Sequence, residues 1–151
     1  MKIGFIGLGK MGSRMVLKLL AEDHEVIIWN RSQEAISNFK FKISNLETAK
    51  NLVVATSIED LVKSLRSPQI VWVMVTAGEA TENILQELLK YVQADDVIID
   101  GGNSHYKDTQ RRSNNLSTKG VRFLGIGVSG GIVASTQGYP LMVGGDKNAY
   151  E

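Results

Sequence analysis

Short apolar runs alternate along this chain with stretches whose apolar residues recur every three or four positions. The runs are KIGFI (Lys2 to Ile6), EVIIW (Glu25 to Trp29), VVA (Val53 to Ala55), QIVWVMV (Gln69 to Val75), DVIID (Asp96 to Asp100), RFLGIGV (Arg122 to Val128) and LMVGG (Leu141 to Gly145). Most are nearly continuous in apolar residues, the pattern of strands buried on both faces. Met11, Met15 and Leu19, with Val16 and Leu20 beside them, mark one apolar face of a helix after the first run. Ser32 is placed to cap a second helix carrying Ala35, Ile36 and Phe39. Ser57 followed by Asp60 resembles a capping box, ahead of Leu61, Val62 and Leu65. Ile84, Leu85, Leu88 and Leu89 predict a helix over Glu79 to Val92, and Lys107 to Leu116 is a very polar helix candidate. Phe41 to Leu52 keeps no clear period and reads mostly as loop.

That alternation predicts an α/β fold: a Rossmann-like, doubly wound, mostly parallel sheet with helices on both faces. The 151 residues suit one domain with a real core, here a dinucleotide-binding domain over residues 1–151. Asp146 to Glu151 reads as a helix just opening, so a longer protein with a further domain is expected. Hydrophobic content of 43%, charged content of 22% and a net charge of +1 are ordinary for a globular protein and give no reason to expect nucleic acid. The absence of cysteine excludes disulfides, thiolate catalysis and Cys-built zinc sites, and no metal is expected. Ile70 to Val75 is too short an apolar run to cross a bilayer, so no membrane partner is expected and a cytoplasmic location is the default.

Two features of the first forty residues carry chemistry. GLGKMG places Gly7, Gly9 and Gly12, with Leu8, Lys10 and Met11 between them, in the G-x-G-x-x-G pattern, after a strand and opening a helix. A bare glycine-rich turn has the same letters; the surrounding βαβ order favours a pyrophosphate cradle, with the helix N-terminus supplying free N–H groups. The second strand then ends in Asn30-Arg31-Ser32, where an NAD site would carry an acid for the ribose 2′-OH. Without that carboxylate, a 2′-phosphate meets no repulsion and finds a guanidinium, an amide and a hydroxyl. The tip therefore points to NADP, with NAD as the alternative if Ser32 only caps the helix and Arg31 is a solvated charge.

Two later loops also follow strands, where ligands sit in open α/β sheets. IDGGNSHYKDTQRR runs from Ile99 to Arg112, with Asn103 offering donors and an acceptor. GVSGG (Gly127 to Gly131) offers the Ser129 hydroxyl and exposed N–H groups, suited to a carboxylate or hydroxyl ligand. GLGKMG, WNRS, IDGGNS-x-Y-x-DT-x-RR and GVSGG together resemble the N-terminal domain of the decarboxylating 6-phosphogluconate dehydrogenases. IDGGNS with the downstream DT-x-RR is the specific part; the wider β-hydroxyacid dehydrogenases share the glycine loop and a VSGG-like turn only.

The resemblance implies oxidation of 6-phospho-D-gluconate at C3 and decarboxylation to ribulose 5-phosphate, a pentose phosphate pathway reaction that reduces a nicotinamide cofactor. It further implies that Val75, Thr76 and Ala77 lie along the cofactor and that Asn103 touches both cofactor and substrate. Ser129, Gly130 and Gly131 would line the sugar phosphate. The catalytic lysine and glutamate would lie in a following helical domain that also carries the dimer contacts, so no catalytic residue is expected in this chain and the whole enzyme would be a homo-oligomer. Lys10, Lys107, His24 and His105 are expected to face solvent rather than to catalyse. Three departures from the family pattern stand out: Thr76 where the best-known members carry lysine, Ile132-Val133-Ala134-Ser135 after GVSGG, and the run Gly138 to Gly145. The last resembles a shorter branch of the family, some of whose members prefer NAD. Another β-hydroxyacid dehydrogenase, or a stand-alone nucleotide-sensing module, are the competing expectations.

Overall fold

The computed structural model describes residues 1–131 and 133–151; Ile132, one of the departures after GVSGG, lies outside them. Among the described residues, seven strands form one sheet in the order β3-β2-β1-β4-β5-β6-β7. The strands are β1 (Lys2–Ile6), β2 (Glu25–Trp29), β3 (Leu52–Val54), β4 (Ile70–Val73), β5 (Val97–Asp100), β6 (Arg122–Val128) and β7 (Leu141–Gly145). All neighbouring pairs are parallel except β6–β7, which is antiparallel. The helices are α1 (Lys10–Ala21), α2 (Gln33–Ile43), α3 (Ile58–Lys63), α4 (Glu79–Leu88), α5 (Tyr106–Ser117), α6 (Ala134–Gln137) and α7 (Lys147–Tyr150). None of them is long and apolar enough to cross a membrane.

Side-chain alternation along the strands builds a core on each face. Ile3, Phe5, Val26, Ile28, Trp72, Ile99 and Leu124 point towards α1 and α2, where Met15, Val16, Leu20, Ile36 and Phe39 meet them. Phe5 and Trp72 stack there with centroids 6.2 Å apart. Ile6, Ile27, Val71, Val73, Ile98 and Phe123 point the other way, against Leu61, Val62, Leu85, Leu88 and Leu116 of α3, α4 and α5. Each fully buried aliphatic or Phe side chain contributes about 1.5–3 kcal/mol, which is why the strands can be short and uniformly apolar.

The segment expected to be loop after Phe41 is different in the structure. Helix α2 continues to Ile43 and a 3-10 turn spans Glu47–Asn51. Ile36, Phe39 and Ile43 are buried at spacings of three and four, so the apolar stripe does continue. Phe41, 83% exposed, sits off that stripe and obscures it in the sequence. Strand β4 stops at Val73, two residues before its apolar run ends, because the chain turns into the crevice at Met74. Helix α4 ends at Leu88 rather than Val92. Ser57 caps α3 by accepting the Asp60 N–H at 3.0 Å, while the Asp60 carboxylate accepts from the Thr56 N–H and hydroxyl at 2.8 and 2.9 Å.

The end of the sheet opposite the strand tips is pinned by one buried acid. Asp96 accepts from the Ser67 hydroxyl, the Gln69 N–H and side-chain amide, and the Gln93 N–H, at 2.7–3.0 Å. Burial raises this carboxyl, but the N–H groups of Gln69 and Gln93 and the two side-chain donors outweigh it and hold it below its ordinary range.

Candidate functional site

The strand order reverses direction beside β1, and a crevice opens there at the carboxyl ends of β1, β2 and β4. Gly7 turns the chain out of β1 with φ +108, and a Cβ on it would lie 2.2 Å from the Met74 carbonyl oxygen. A Cβ on Gly12 would lie 2.1 Å from the Gly7 carbonyl oxygen, so only glycine lets α1 press so closely on the strand end. Gly9 is the N-cap of α1 and has nothing within 4 Å of where its Cβ would stand. No side chain caps this helix and its first turn has no acid. Its N-terminal N–H groups and partial positive charge are therefore available to an anion approaching over Gly9.

The tip of β2 divides its duties. Asn30 accepts the Leu8 N–H at 2.9 Å and donates to the Ser32 carbonyl at 3.2 Å, bracing the glycine loop against the tip. Ser32 accepts the Ala35 N–H at 3.2 Å and caps α2, leaving its hydroxyl hydrogen free to donate. Arg31 is exposed and makes no hydrogen bond or ion pair among the described residues. A cleft of about 560 Å³ is lined by Gly7, Gly9, Asn30, Arg31, Ser32, Val75 and Thr76, together with Trp29, Ala80, Asn83 and Ile84. Leu8, Lys10, Met11, Gly12 and Ala77 flank this cleft without lining it, and Lys10 is exposed.

The loop that leaves the end of β5 touches the one that follows β4: a Cβ on Gly102 would lie 2.5 Å from the Val75 carbonyl oxygen. Asn103 takes a left-handed backbone, φ +56, and its side chain clips onto Val128 at the end of β6. Its amide oxygen accepts the Val128 N–H at 2.8 Å and its amide nitrogen donates to the Val128 carbonyl at 3.2 Å. Asn103 thus joins the IDGGNS loop to GVSGG. In the latter, the Ser129 N–H donates to the Pro140 carbonyl at 3.1 Å, Gly130 has φ +101 and Gly131 faces open space. Asn103 and Ser104 also border a groove of about 820 Å³ between α5 and the β6–β7 edge; Ser129, Gly130 and Gly131 do not line it.

Beneath Asn103 lies an ion-pair network that motif reading left without a role. Asp100 and Arg112 are 2% and 3% exposed. Asp100 accepts from the Gly102 N–H at 3.0 Å, the Ser104 hydroxyl at 2.7 Å and Arg112 Nη1 at 2.8 Å. Arg112 also donates through Nη1 to Ser104 Oγ at 2.6 Å and through Nε to Glu82 of α4 at 2.8 Å. Arg111 pairs with the same Glu82, and its guanidinium, with that of Arg112, holds the Glu82 carboxyl below the ordinary carboxylate range. A signal that could have found it is the place of Arg112 four residues before Leu116, on the inward stripe of α5, where a buried cation requires a buried acid. His105 caps α5 by accepting the Lys107 N–H at 3.3 Å, and both His105 and Lys107 are exposed.

Comparison with known proteins agrees with this geometry. Residues 2–151 match the family described as the NAD binding domain of 6-phosphogluconate dehydrogenase. The NADP(+)-dependent decarboxylating 6-phosphogluconate dehydrogenase of Bacillus subtilis (strain 168) is 41% identical over 150 residues, covering 99% of this chain and 31% of that protein. The NAD(+)-dependent decarboxylating enzyme of the same organism is 39% identical over 149 residues, with the same two coverages. Plasmodium falciparum 6-phosphogluconate dehydrogenase, solved apo, with its cofactor NADP+ and with its substrate 6-phosphogluconate, superposes with a TM-score of 0.88 at 30% identity. That match covers 99% of this chain and 32% of the Plasmodium chain, so the chain spans about a third of the length of these relatives.

Proposed function

The chain belongs to the family of NAD-binding domains of 6-phosphogluconate dehydrogenase, and from that we propose that it is the cofactor-binding part of an enzyme that oxidises and decarboxylates 6-phosphogluconate with NADP. The observation that carries the cofactor reading is the cleft itself. It has a glycine floor open over Gly9, an uncapped helix N-terminus behind it, and at its rim the guanidinium of Arg31, unpaired among the described residues. That donor set fits a pyrophosphate and a 2′-phosphate: backbone N–H groups for the first, a charged planar fork for the second. The bound nicotinamide nucleotide supplies the hydride acceptor.

In this reading Gly7, Gly9 and the first turn of α1 hold the pyrophosphate, and Val75, Thr76 and Ala77 form the wall along the cofactor. Arg31 pairs with the 2′-phosphate, helped by the Ser32 hydroxyl, and Asn30 keeps the glycine loop in register with it. Asn103 has one amide hydrogen beyond its two bonds to Val128 and can present it to substrate or nicotinamide. Ser129, Gly130 and Gly131 would receive the sugar-phosphate substrate with N–H groups and a hydroxyl. Proton transfer falls to a lysine and a glutamate in a helical domain outside residues 1–151, which also holds the subunit contacts of a homo-oligomer in the cytoplasm.

The test is calorimetric titration of the chain with NADP and with NAD, beside an assay for 6-phosphogluconate-dependent reduction of cofactor. The expected result is tighter binding of NADP and no turnover by residues 1–151 alone. Tighter NAD binding would reassign the cofactor, and robust decarboxylation by the chain alone would refute the division of labour.

A further inference from the structure

Arg112 is a costly residue to place where it is. A guanidinium 3% exposed has left water, and a buried ion pair seldom stabilises a fold more than an apolar side chain of the same volume would. Nor is it fully satisfied: Nε and Nη1 are bonded, but Nη2 is buried without an acceptor. Stability alone therefore does not account for it. What Arg112 does have is three acceptors on two different parts of the crevice. Through Nη1 it holds Asp100 and Ser104, which bracket the loop that presents Asn103. Through Nε it holds Glu82, and the neighbours Ala80, Asn83 and Ile84 on that same helix line the nucleotide cleft.

We propose that Arg112 is a positioning residue that links occupancy of the nucleotide cleft to the setting of the Gly101–Ser104 loop, with Glu82 as its anchor on α4. The proposal rests on the nucleotide reading given above. A ligand wedged against Ala80, Asn83 and Ile84 displaces α4 as a body, and Glu82 moves with it. The Asp100–Arg112 pair is buried on both sides and therefore stiff, and Nε of Arg112 is bonded to the part-exposed Glu82 at 2.8 Å, so Arg112 follows Glu82 and carries Asp100 and Ser104 along. Asn103 then shifts against Val128, to which it is clipped by two hydrogen bonds. The substrate loops are thereby aligned only after the cofactor end is filled, a coupling between two sites through a defined chain of bonds. Arg111 reaches Glu82 from the solvent side and, among the described residues, hydrogen-bonds to Glu82 and Asp108 but not to Asp100, so it is not part of the link.

The chain is small enough for amide-resolved magnetic resonance, and the probe is adenosine 2′,5′-bisphosphate, which can occupy the Arg31–Asn83 end of the cleft but has no nicotinamide to touch Asn103. In the wild-type chain, titration is expected to shift the amides of Thr76 and Asn83 directly and also those of Gly102, the Asn103 side chain and Val128. In Glu82→Ala the direct shifts and the affinity persist and the remote shifts are lost. Arg112→Lys, whose single ammonium nitrogen keeps the charge beside Asp100 but cannot also reach Glu82 as the separate Nε does, loses them as well. Arg111→Ala retains them. Remote shifts that survive Glu82→Ala, or that are missing in the wild type while Thr76 and Asn83 respond, overturn the link. Absence of any response at Thr76 and Asn83 overturns the nucleotide reading and this inference with it.

Discussion

Replacing Arg31 by aspartate is the sharpest probe of the cleft. Asn30 and Ser32 both have bonds to the protein, to the Leu8 and Ala35 N–H groups respectively. Arg31 has none among the described residues and is exposed, so changing it should leave the fold untouched. A unit charge about 4 Å from a phosphate oxygen gains about 1 kcal/mol in water-like surroundings and about 4 kcal/mol at the effective dielectric of a protein surface. Arg31→Asp removes that attraction and adds repulsion of the same kind, partly screened in an open cleft, for a net loss of about 2–4 kcal/mol. In dissociation constant that is roughly 30-fold to 1,000-fold. NAD carries a 2′-OH instead, which the new carboxylate can accept from, so its affinity should hold or improve. The assay is calorimetry with each nucleotide at two salt concentrations, the NADP difference shrinking as the Debye length falls. Equal losses for both cofactors would refute the reasoning and make Arg31 a residue that shapes the loop. An unchanged NADP affinity would place the 2′-phosphate elsewhere.

Two further outcomes test the scaffold around the site. Gly12→Ala puts a methyl 2.1 Å from the Gly7 carbonyl oxygen, so α1 must withdraw from the strand end; a loss of about 1–3 kcal/mol in denaturant titration is expected, together with weaker nucleotide binding, and wild-type values for both would show that the close approach is not needed. Asp96→Asn turns an acceptor towards Gln69 and Gln93 donors into a donor and should cost about 2–4 kcal/mol. Because Asp96 is held below the ordinary carboxylate range in the fold, its contribution is fully present above the unfolded value and is lost as pH falls through the folded one. Acid unfolding curves of wild type and Asp96→Asn should therefore converge at low pH, and a constant gap between them would contradict the assignment.

The strands were legible because this sheet is buried on both faces: Ile3 and Phe5 feed one core and Ile6 the other, which leaves an unbroken apolar run in the sequence. Orientation is written less clearly. Nothing in LMVGG marks β7 as running against its neighbour, since an apolar edge strand reads alike in either direction. The glycine loop was legible for a steric reason, each of Gly7 and Gly12 having a backbone oxygen where a Cβ would go. The Asp100–Arg112–Glu82 network was not, because its members come from three elements and Glu82 and Arg112 stand 30 residues apart. Asn30 shows a subtler limit. Its letter suggested a ligand contact, and it lines the cleft, but nothing in the letter shows that its amide oxygen accepts the Leu8 N–H 22 positions earlier. A motif names residue types, and only the folded chain assigns their hydrogen bonds.

On the proposed reading, the exposed position of Arg31 bears on how cofactor preference diverges. A side chain that makes no hydrogen bond or ion pair among the described residues can change under selection for nucleotide alone, with no compensating substitution among them. Asn30 and Gly12 lack that freedom, since the loop geometry depends on them. The two Bacillus subtilis enzymes that match this chain are named one for NADP and one for NAD, so both preferences occur among relatives of about equal identity to it.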